Sequence, residues 1–395
     1  MLQTFTKVDP AVTAETLLDD VRALLPAIRS RAEETEKNCS IPMVSAQEFL
    51  DIGLARVLMP KRYGGTELGL QTWVDVSVEI GKADASHAWC ASLMMHHPHY
   101  LAQFEDAAQH EVWANGPDVA IAATFTPTSK VEIVEGGYRI SCAIPYLSGI
   151  NHSSRVMIGG RVPLDDGTFD WTLFLVPGSE FEIQKTWDTS GMRGTGSNTV
   201  IVKDAFVPKN HTLRVTDMRE STTPGSKLYA HRMFHSPWVT YAPLTFLGPM
   251  LGAARGALED YRNWTANKVS LFGSQVAEFT SIQVHLARAA ANLDAADLLM
   301  RRAVEVAESP VTPTLELRAR TSRDQVRSSE LIVDAMDMIM KISGAAGFAS
   351  SNNIQRAWRD VHFAASHVSL NPEGSFAAWG RSQFGLPRHP NQTMY

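Results

Sequence analysis

The chain has 395 residues, of which 44% are hydrophobic and 20% are charged, which is the composition of an ordinary soluble globular protein. It is longer than the roughly 300 residues at which a single hydrophobic core stops growing, so we expect two or three subdomains. A formal net charge of -6 gives no electrostatic reason to expect nucleic acid or an anionic membrane as a partner.

The cysteines and the most apolar segment bear on the location of the protein. Cys39, Cys90 and Cys142 are widely separated and form neither a disulfide framework nor a CxxC pair, which predicts a reducing, cytoplasmic environment. Residues 239–254 are the most apolar stretch, but two prolines interrupt them and they are too short to cross a bilayer. We therefore predict no membrane-spanning segment and interpret this stretch as the start of a buried helix.

Residues 1–119 are predicted to form an N-terminal helical domain. Ser45-Ala46-Gln47-Glu48 has the pattern of a capping box, which predicts a helix start. Tyr63-Gly64-Gly65 predicts a turn, and the residues after it predict a helix that runs towards Lys82. A second apolar helix is predicted from about residue 87 to residue 104.

Residues 120–210 change to short runs of β-branched and aromatic residues, which predict strands. These runs are residues 131–134, 138–140, 156–160, 171–176 and 199–202. Glycine-containing turns at residues 135–137 and 165–167 separate neighbouring runs and are typical of hairpins. The pattern predicts a central antiparallel β-domain, either a barrel or a sandwich.

Residues 211–395 return to a helical period. Apolar residues at helical spacing predict one bundle helix, and a proline-containing segment at 309–313 separates it from a second long helix that ends near Lys341. The stripe of the first helix consists of Ile282, Leu286, Ala290, Leu293 and Ala296. We therefore predict an α+β protein with an N-terminal helical domain, a β-domain and a C-terminal four-helix bundle.

Five short motifs occur in an order that resembles the acyl-CoA dehydrogenase superfamily. They are YGG at 63–65, GMRG to DAFVP at 191–208, GAARGAL at 252–258, FG at 272–273 and GAAGF with RD at 344–360. Each motif alone is weakly specific, but together they span nearly 300 residues in the family's order. The resemblance implies the helical, β and helical-bundle domains of that superfamily, and a flavin cofactor.

One departure from the dehydrogenase pattern bears on function. Dehydrogenases of this superfamily carry a catalytic glutamate shortly after the RD motif, where this chain has His367. Glu373 follows about five residues too late, more than a helical turn away, so we expect it to point elsewhere. The chain instead resembles the oxygenase components of two-component flavin-dependent aromatic hydroxylases, on the motifs Trp89, His97-Pro98, Ser148-Gly149 and His367.

That resemblance implies a reaction. The family, whose members act on 4-hydroxyphenylacetate and on a secosteroid phenol, uses reduced FMN or FAD and O2 to hydroxylate an aromatic substrate through a C4a-hydroperoxyflavin. The implied partners are a small aromatic, phenolic substrate and a separate NAD(P)H:flavin reductase, with the chain assembled as a homotetramer. Gly194-Thr195-Gly196 lacks the third glycine of a dinucleotide-binding loop, which agrees with a separate reductase.

Three residues are candidate catalytic groups under this resemblance. His97 would bind or deprotonate the phenol, Ser148 would accept the hydrogen of flavin N5, and His367 would lie near flavin C4a. From the residues alone, each histidine could equally be a hydrogen-bonded core residue, and Ser148 could simply end a strand. Zinc binding by the histidines around His97 is disfavoured, because adjacent helical residues point about 100° apart and no further ligands are nearby.

The remaining candidates bind the flavin and the substrate. The predicted cofactor-binding residues are Thr124, Ser148, Lys268, Phe272, Gly344 and Gly347. Lys268 stands where the dehydrogenases usually have an arginine for the phosphates, and a lysine binds phosphate only as a point charge, so FMN and FAD both remain open. The predicted substrate-binding residues are His97, Phe125, Tyr146, Trp187 and Trp238.

Three alternatives stay open at this point. The chain could be an acyl-CoA dehydrogenase with an unusual base, which would bind oxidised FAD tightly. It could be a monooxygenase of the same fold that oxygenates nitrogen or sulfur and needs no base for a phenol. It could also be a helical scaffold that has lost its flavin.

Overall fold

The computed structural model describes residues 12–387, and residues 1–11 and 388–395 lie outside the described part. Five helices come first: α1 (Ala14–Asn38), α2 (Met43–Asp51), α3 (Gly69–Gly81), α4 (Ala85–Leu101) and α5 (Asp106–Trp113). The predicted capping box is wrong, because α2 begins at Met43 and encloses Ser45 and Glu48. Both side chains bind the guanidinium of Arg31 on α1 and so join two helices.

Seven strands follow: β1 (Ile121–Val134), β2 (Gly137–Leu147), β3 (Arg155–Pro163), β4 (Phe169–Pro177), β5 (Phe181–Gln184), β6 (Asn198–Pro208) and β7 (Thr212–Arg214). Their order in the sheet is β5-β6-β2-β1-β3-β4-β7. Gly136 and Gly167 have φ values of 77° and 80°, which places them in the left-handed region that the two predicted hairpin turns require.

The prediction of a wholly antiparallel β-domain needs one correction, since β1 and β3 are parallel and the sheet is mixed. The 14-residue strand β1 pairs through residues 121–124 with β3 and through residues 130–134 with β2. Its pairing with β3 shifts register between Thr124 and Ser129, and Ser129 still pairs with Gly160 of β3. Alternation of apolar and polar residues identifies strands but carries no information on their direction.

Six helices complete the described part of the chain: α6 (Val215–Glu220), α7 (Leu244–Thr265), α8 (Thr280–Ala307), α9 (Leu315–Gly347), α10 (Asn353–Ala365) and α11 (Pro372–Gln383). The apolar stripe predicted on α8 is buried at Leu293 and Ala296, whereas Ile282 and Leu286 are only partly buried. The helical geometry of α9 is interrupted at Gly344, whose φ is 62°, close to the predicted end near Lys341.

Helix α4 is the element that positions the candidate site, and all of its residues are buried. It packs against α3, α7 and the start of β1. Asp84 caps its N-terminus by accepting a hydrogen bond from the backbone N–H of His87. Among residues 12–387, no helix is both long and apolar enough to cross a membrane, and the apolar residues after Val239 enter α7.

Candidate active site

A cleft separates α4 from the turn that follows β2. The wall of this open cleft includes Cys90, Leu93 and Met94 of α4, Ile121 of β1, and the Ser148-Gly149 turn. None of the residues that line it carries a carboxylate. Glu373 is instead exposed in the first turn of α11. The dehydrogenase-type base is therefore not supplied by this cleft wall.

One face of α4 links the two histidines that the sequence singles out. Trp89, Leu93 and His97 are spaced four residues apart and so lie one above the other on the helix. At one end, the His97 ring is bonded to the carbonyl of Ile121, which lines the cleft. At the other end, the ring of His367 lies 6.1 Å from that of Trp89 and 3.8 Å from that of Phe246.

His97 is arranged as a hydrogen-bond acceptor. Its Nδ1 is 2.6 Å from the carbonyl oxygen of Ile121, and a carbonyl can only accept, so Nδ1 carries the hydrogen. Nε2 then bears a lone pair and has no hydrogen-bond partner among the described residues. Burial lowers the pKa of His97 to about 4, so the imidazole is neutral at pH 7. In this state Nε2 can accept a hydrogen bond.

His367 has the opposite tautomer. The backbone N–H of Ser369 donates to Nδ1 of His367 at 3.2 Å, so the neutral ring carries its hydrogen on Nε2. Desolvation lowers the pKa of His367 to about 4, which keeps the ring neutral at pH 7. His97 therefore offers a lone pair at Nε2, whereas His367 offers an N–H at the same ring position.

The neighbouring histidines His96 and His99 are core residues. His96 Nδ1 is 2.7 Å from Thr245 Oγ1, and His99 Nε2 donates to the carbonyl of Met233 at 3.0 Å. The part of the chain that the structure describes contains no cluster of three or more side chains suited to a metal ion. Of the three, only His97 is bonded to a residue that lines the cleft.

Ser148 lies on the cleft wall at the end of β2. Its Oγ is 2.7 Å from Oγ of Ser197, which belongs to the GMRGTGSN motif. The Gly149 N–H donates to the carbonyl of Thr195 at 2.8 Å, so the backbone of the turn is tied to the same motif. Gly149 has a φ of 71°, which allows the chain to reverse directly after Ser148.

The aromatic residues predicted to bind substrate fall into two groups. In the first, the rings of Phe125 and Trp238 are stacked at 4.5 Å with an interplanar angle of 10°. The indole N–H of Trp238 donates to the hydroxyl of Tyr100, and Tyr100 in turn stacks on His97 at 5.8 Å. This group therefore reaches the acceptor histidine.

The second group includes Tyr146, near the end of β2. The rings of Tyr146 and Trp187 meet edge to face at 5.9 Å, and Trp187 also contacts Phe363 of α10. Tyr146 has a φ of 67° and is 68% exposed, so it is not enclosed within this chain. Within this chain, the aromatic candidates therefore form two separate contacts.

The predicted cofactor residues are also dispersed. Thr124 is half-buried in β1, opposite Ile158 of β3. The ammonium of Lys268 lies 3.8 Å from the ring centre of Trp264, and Phe272 is 92% exposed on the following loop. Gly344 and Gly347 lie at the end of α9. None of these residues lines the cleft beside Ser148.

Three residues at the site were missed by the sequence analysis. Tyr100 lies three residues after His97, so the spacing of neighbours on one helix face could have identified it. Ser197 stands in a motif that was recognised, but its pairing with a residue 49 positions away has no local signal. Phe246 precedes its contact His367 by more than 100 residues, and no sequence pattern links the two.

Comparison with known proteins identifies the family. The family models for the N-terminal and C-terminal domains of acyl-CoA dehydrogenases match residues 13–116 and 244–372. The oxygenase subunit HsaA of a flavin-dependent monooxygenase from Rhodococcus jostii is 34% identical over 373 residues, covering 92% of this chain and 97% of the relative. The oxygenase component of an FADH2-dependent resorcinol hydroxylase from Rhizobium is 31% identical, covering 94% of each.

The solved structures give the same result. The crystal structure of 3-HSA hydroxylase from Rhodococcus sp. RHA1 superposes with a TM-score of 0.91 at 32% identity, covering 98% of this chain and 99% of that one. The fold is therefore that of the acyl-CoA dehydrogenases, with a cleft wall that carries no carboxylate. Within that fold, this chain belongs to the oxygenase components of two-component flavin-dependent monooxygenases, as the motifs predicted. It is an oxidoreductase, and its cofactor is reduced flavin.

The residues of the cleft fit a flavin ring. Leu93 and Met94 offer an apolar wall for a flat aromatic system, and the half-buried hydroxyl of Ser148 lies on the same cleft. Because a hydroxyl can accept as well as donate, it can meet a ring N–H. The unlike tautomers of His97 and His367 add an acceptor and a donor at the two ends of the α4 face.

Proposed function

We propose that this chain binds reduced flavin in the cleft beside Ser148 and uses it with O2 to hydroxylate a small phenol next to its hydroxyl group. The observation that carries the proposal is the unpartnered Nε2 of His97, a neutral and buried acceptor on the helix face shared with the cleft wall. The reaction takes two electrons from the flavin and two from a ring C–H bond. One oxygen atom enters the product, and the other leaves as water.

His97 prepares the substrate. Its Nε2 accepts the hydrogen of the phenol hydroxyl, which raises the electron density at the neighbouring ring carbon. Nδ1 holds the imidazole in place through the carbonyl of Ile121, so the lone pair keeps one direction. General base catalysis of this kind typically contributes about 10²- to 10⁴-fold to a rate.

Ser148 and His367 act at the flavin. When bound, reduced flavin supplies the two electrons that activate O2. Ser148 Oγ accepts a hydrogen bond from the flavin N5–H and keeps that proton in place. His367 presents its Nε2–H to the reacting oxygen, while the rings of Trp89 and Phe246 exclude water from this end.

The two groups of aromatic residues contact different parts of the ligand. Phe125 and Trp238, joined to His97 through Tyr100, form the wall for a single-ring phenol. Tyr146 and Trp187 contact the part of a ligand that extends past Ser148 towards α10. Thr124 binds the polar edge of the flavin from β1. A phenol is favoured over a nitrogen or sulfur substrate because those reactions do not use a base at His97.

One exposed loop is proposed both to contact a neighbouring subunit and to help bind the flavin phosphates. Leu271 and Phe272 are more than 90% exposed on a loop that the Val269–Gln275 bridge closes. In a homotetramer a neighbouring subunit covers these apolar side chains, and Lys268 then reaches the flavin phosphates beside Gly344 and Gly347 of that neighbour. FMN and FAD both meet these requirements. A separate NAD(P)H:flavin reductase supplies the reduced flavin, and the complex works in the cytoplasm.

A single-turnover assay with labelled oxygen tests the proposal. The purified chain is mixed with photoreduced FMN or FAD and a panel of single-ring phenols, without a reductase, and exposed to ¹⁸O2. The expected product is an ortho-hydroxylated phenol that carries one ¹⁸O atom. If hydrogen peroxide accounts for all the oxygen with every phenol, the assignment of a phenolic substrate is wrong.

A further inference from the structure

A chain of three hydroxyl groups leads from the cleft into the protein. Ser148 Oγ is 2.7 Å from Ser197 Oγ, which is 2.7 Å from Thr195 Oγ1. Thr195 Oγ1 is in turn 2.9 Å from the carbonyl oxygen of Met192. Ser197 and Thr195 are buried, so no bulk water competes for these bonds. The hydroxyl chain therefore connects the cleft to one carbonyl group, that of Met192.

The Met192 carbonyl at the end of the hydroxyl chain determines which oxygen donates in each hydrogen bond of the chain. A carbonyl can only accept, so Thr195 must donate its single hydrogen to Met192. Thr195 Oγ1 can then only accept from Ser197, and Ser197 Oγ can only accept from Ser148. Ser148 thus donates its hydrogen inwards, and only lone pairs of its oxygen face the cleft.

The backbone of Met192, which supplies the acceptor carbonyl, is itself held in place by hydrogen bonds. The N–H of Met192 donates to a carboxylate oxygen of Asp360 on α10 at 2.6 Å, and the Trp187 indole N–H donates to the Met192 carbonyl. Met192 has a φ of 52°, a left-handed conformation that is unfavourable for a side chain with a Cβ and needs such support. Asp360 therefore fixes the carbonyl that orients the hydroxyl chain.

We infer that Thr195 and Ser197 are positioning residues that make the flavin site selective for reduced flavin over oxidised flavin. This inference rests on the proposed contact between Ser148 and flavin N5. Reduced flavin carries a hydrogen on N5 and can donate to the lone pair of Ser148. Oxidised flavin has only a lone pair on N5, so the two acceptors face each other without a hydrogen between them. The selectivity suits a protein that takes up reduced flavin and must release it oxidised.

The substitution Thr195→Val tests the inference. Without the threonine hydroxyl, Ser197 donates to Ser148 instead, and the hydrogen of Ser148 becomes available to oxidised N5. We expect the ratio of the dissociation constants of oxidised and reduced flavin to fall about tenfold, the size of one hydrogen bond gained or lost. That change equals a decrease of about 30 mV in the two-electron potential of the bound flavin. Anaerobic titration and potentiometry measure both quantities without turnover.

Matched variants separate this effect from a general loss of structure. Thr195→Ser keeps the hydroxyl and should keep the ratio, whereas Ser197→Ala frees the hydrogen of Ser148 and should lower it. Thr199→Val removes a hydroxyl two residues after Ser197, but that hydroxyl bonds to Thr186 and does not belong to the hydroxyl chain, so the ratio should not change. Ser197→Ala also preserves the test if Thr195→Val fails to fold.

Two results would overturn the inference and are distinguishable from each other. If the wild-type protein prefers reduced flavin and both Thr195→Val and Ser197→Ala keep that preference, the hydroxyl chain does not set it, and the proposed function stands. If the wild-type protein does not bind reduced flavin, both the inference and the proposed flavin site are wrong.

Discussion

Replacing His97 with asparagine should lower the rate of product formation about 10²- to 10⁴-fold, the usual contribution of a general base. The asparagine side-chain amide can still donate to the carbonyl of Ile121, so the packing around α4 is kept. What the variant loses is the Nε2 acceptor. The measurement is the rate of phenol hydroxylation under single-turnover conditions with reduced flavin, with flavin binding measured in parallel.

The pH dependence of the wild-type protein belongs to the same prediction. Because the pKa of His97 is lowered to about 4, its basic form persists from pH 8 down to about pH 5. Protonation of His97 should therefore cause no loss of rate near pH 6.5. The matched control is His99→Gln, which removes a buried imidazole of the same helix whose hydrogen bond goes to Met233 instead. Equal losses of rate in both variants would contradict the role of His97.

Replacing His367 with asparagine should divert most of the reducing equivalents from product to hydrogen peroxide. The asparagine oxygen can still accept the N–H of Ser369, so the turn after α10 is retained. The Nε2–H that we propose faces the reacting oxygen is lost, and so is part of the ring contact with Phe246. The expected result is continued oxidation of flavin with most of the product missing, measured as product and peroxide per flavin oxidised.

His362 of α10 provides the control for this variant. His362 bonds to the carbonyl of Trp358 and pairs with the exposed Asp337, so it belongs to the surface of the helix. His362→Asn should leave the yield of product unchanged. The assignment of His367 is wrong if His367→Asn couples flavin oxidation to product as well as the wild-type protein does.

The sequence predicted the fold well because its signals are local or arranged in order. The glycines at 136 and 167 marked both hairpin turns, and the apolar period marked α4 and α8. Five motifs in the order of one superfamily then fixed the arrangement of the domains. Each of these signals depends on residues that are close together along the chain.

The features that the sequence did not predict depend on contacts between distant segments. Ser45 and Glu48 have the spacing of a capping box, yet both bind Arg31 of another helix. The parallel pairing of β1 with β3 depends on the path of the chain between them and not on residue pattern. A local pattern cannot identify a partner that the folded chain brings from elsewhere.

The candidate site likewise combines features that local motifs predicted with features that depend on contacts between distant segments. Motifs identified His97, Ser148 and His367, but not the tautomers that make one histidine an acceptor and the other a donor. Those tautomers are set by a carbonyl on β1 and by a backbone N–H after α10. The aromatic residues were chosen by type alone, and the structure divides them into two separate ring contacts.

The central claim is that this cleft holds reduced flavin and protects its reaction with O2 from water. Anaerobic mixing of the protein with reduced FMN and with reduced FAD, followed by an oxygen pulse in a stopped-flow spectrometer, tests it most directly. We predict a distinct absorbance that persists between the reduced and oxidised spectra, with the preferred flavin giving the longer lifetime. A return to oxidised flavin at the protein-free rate, with both flavins, would contradict the account.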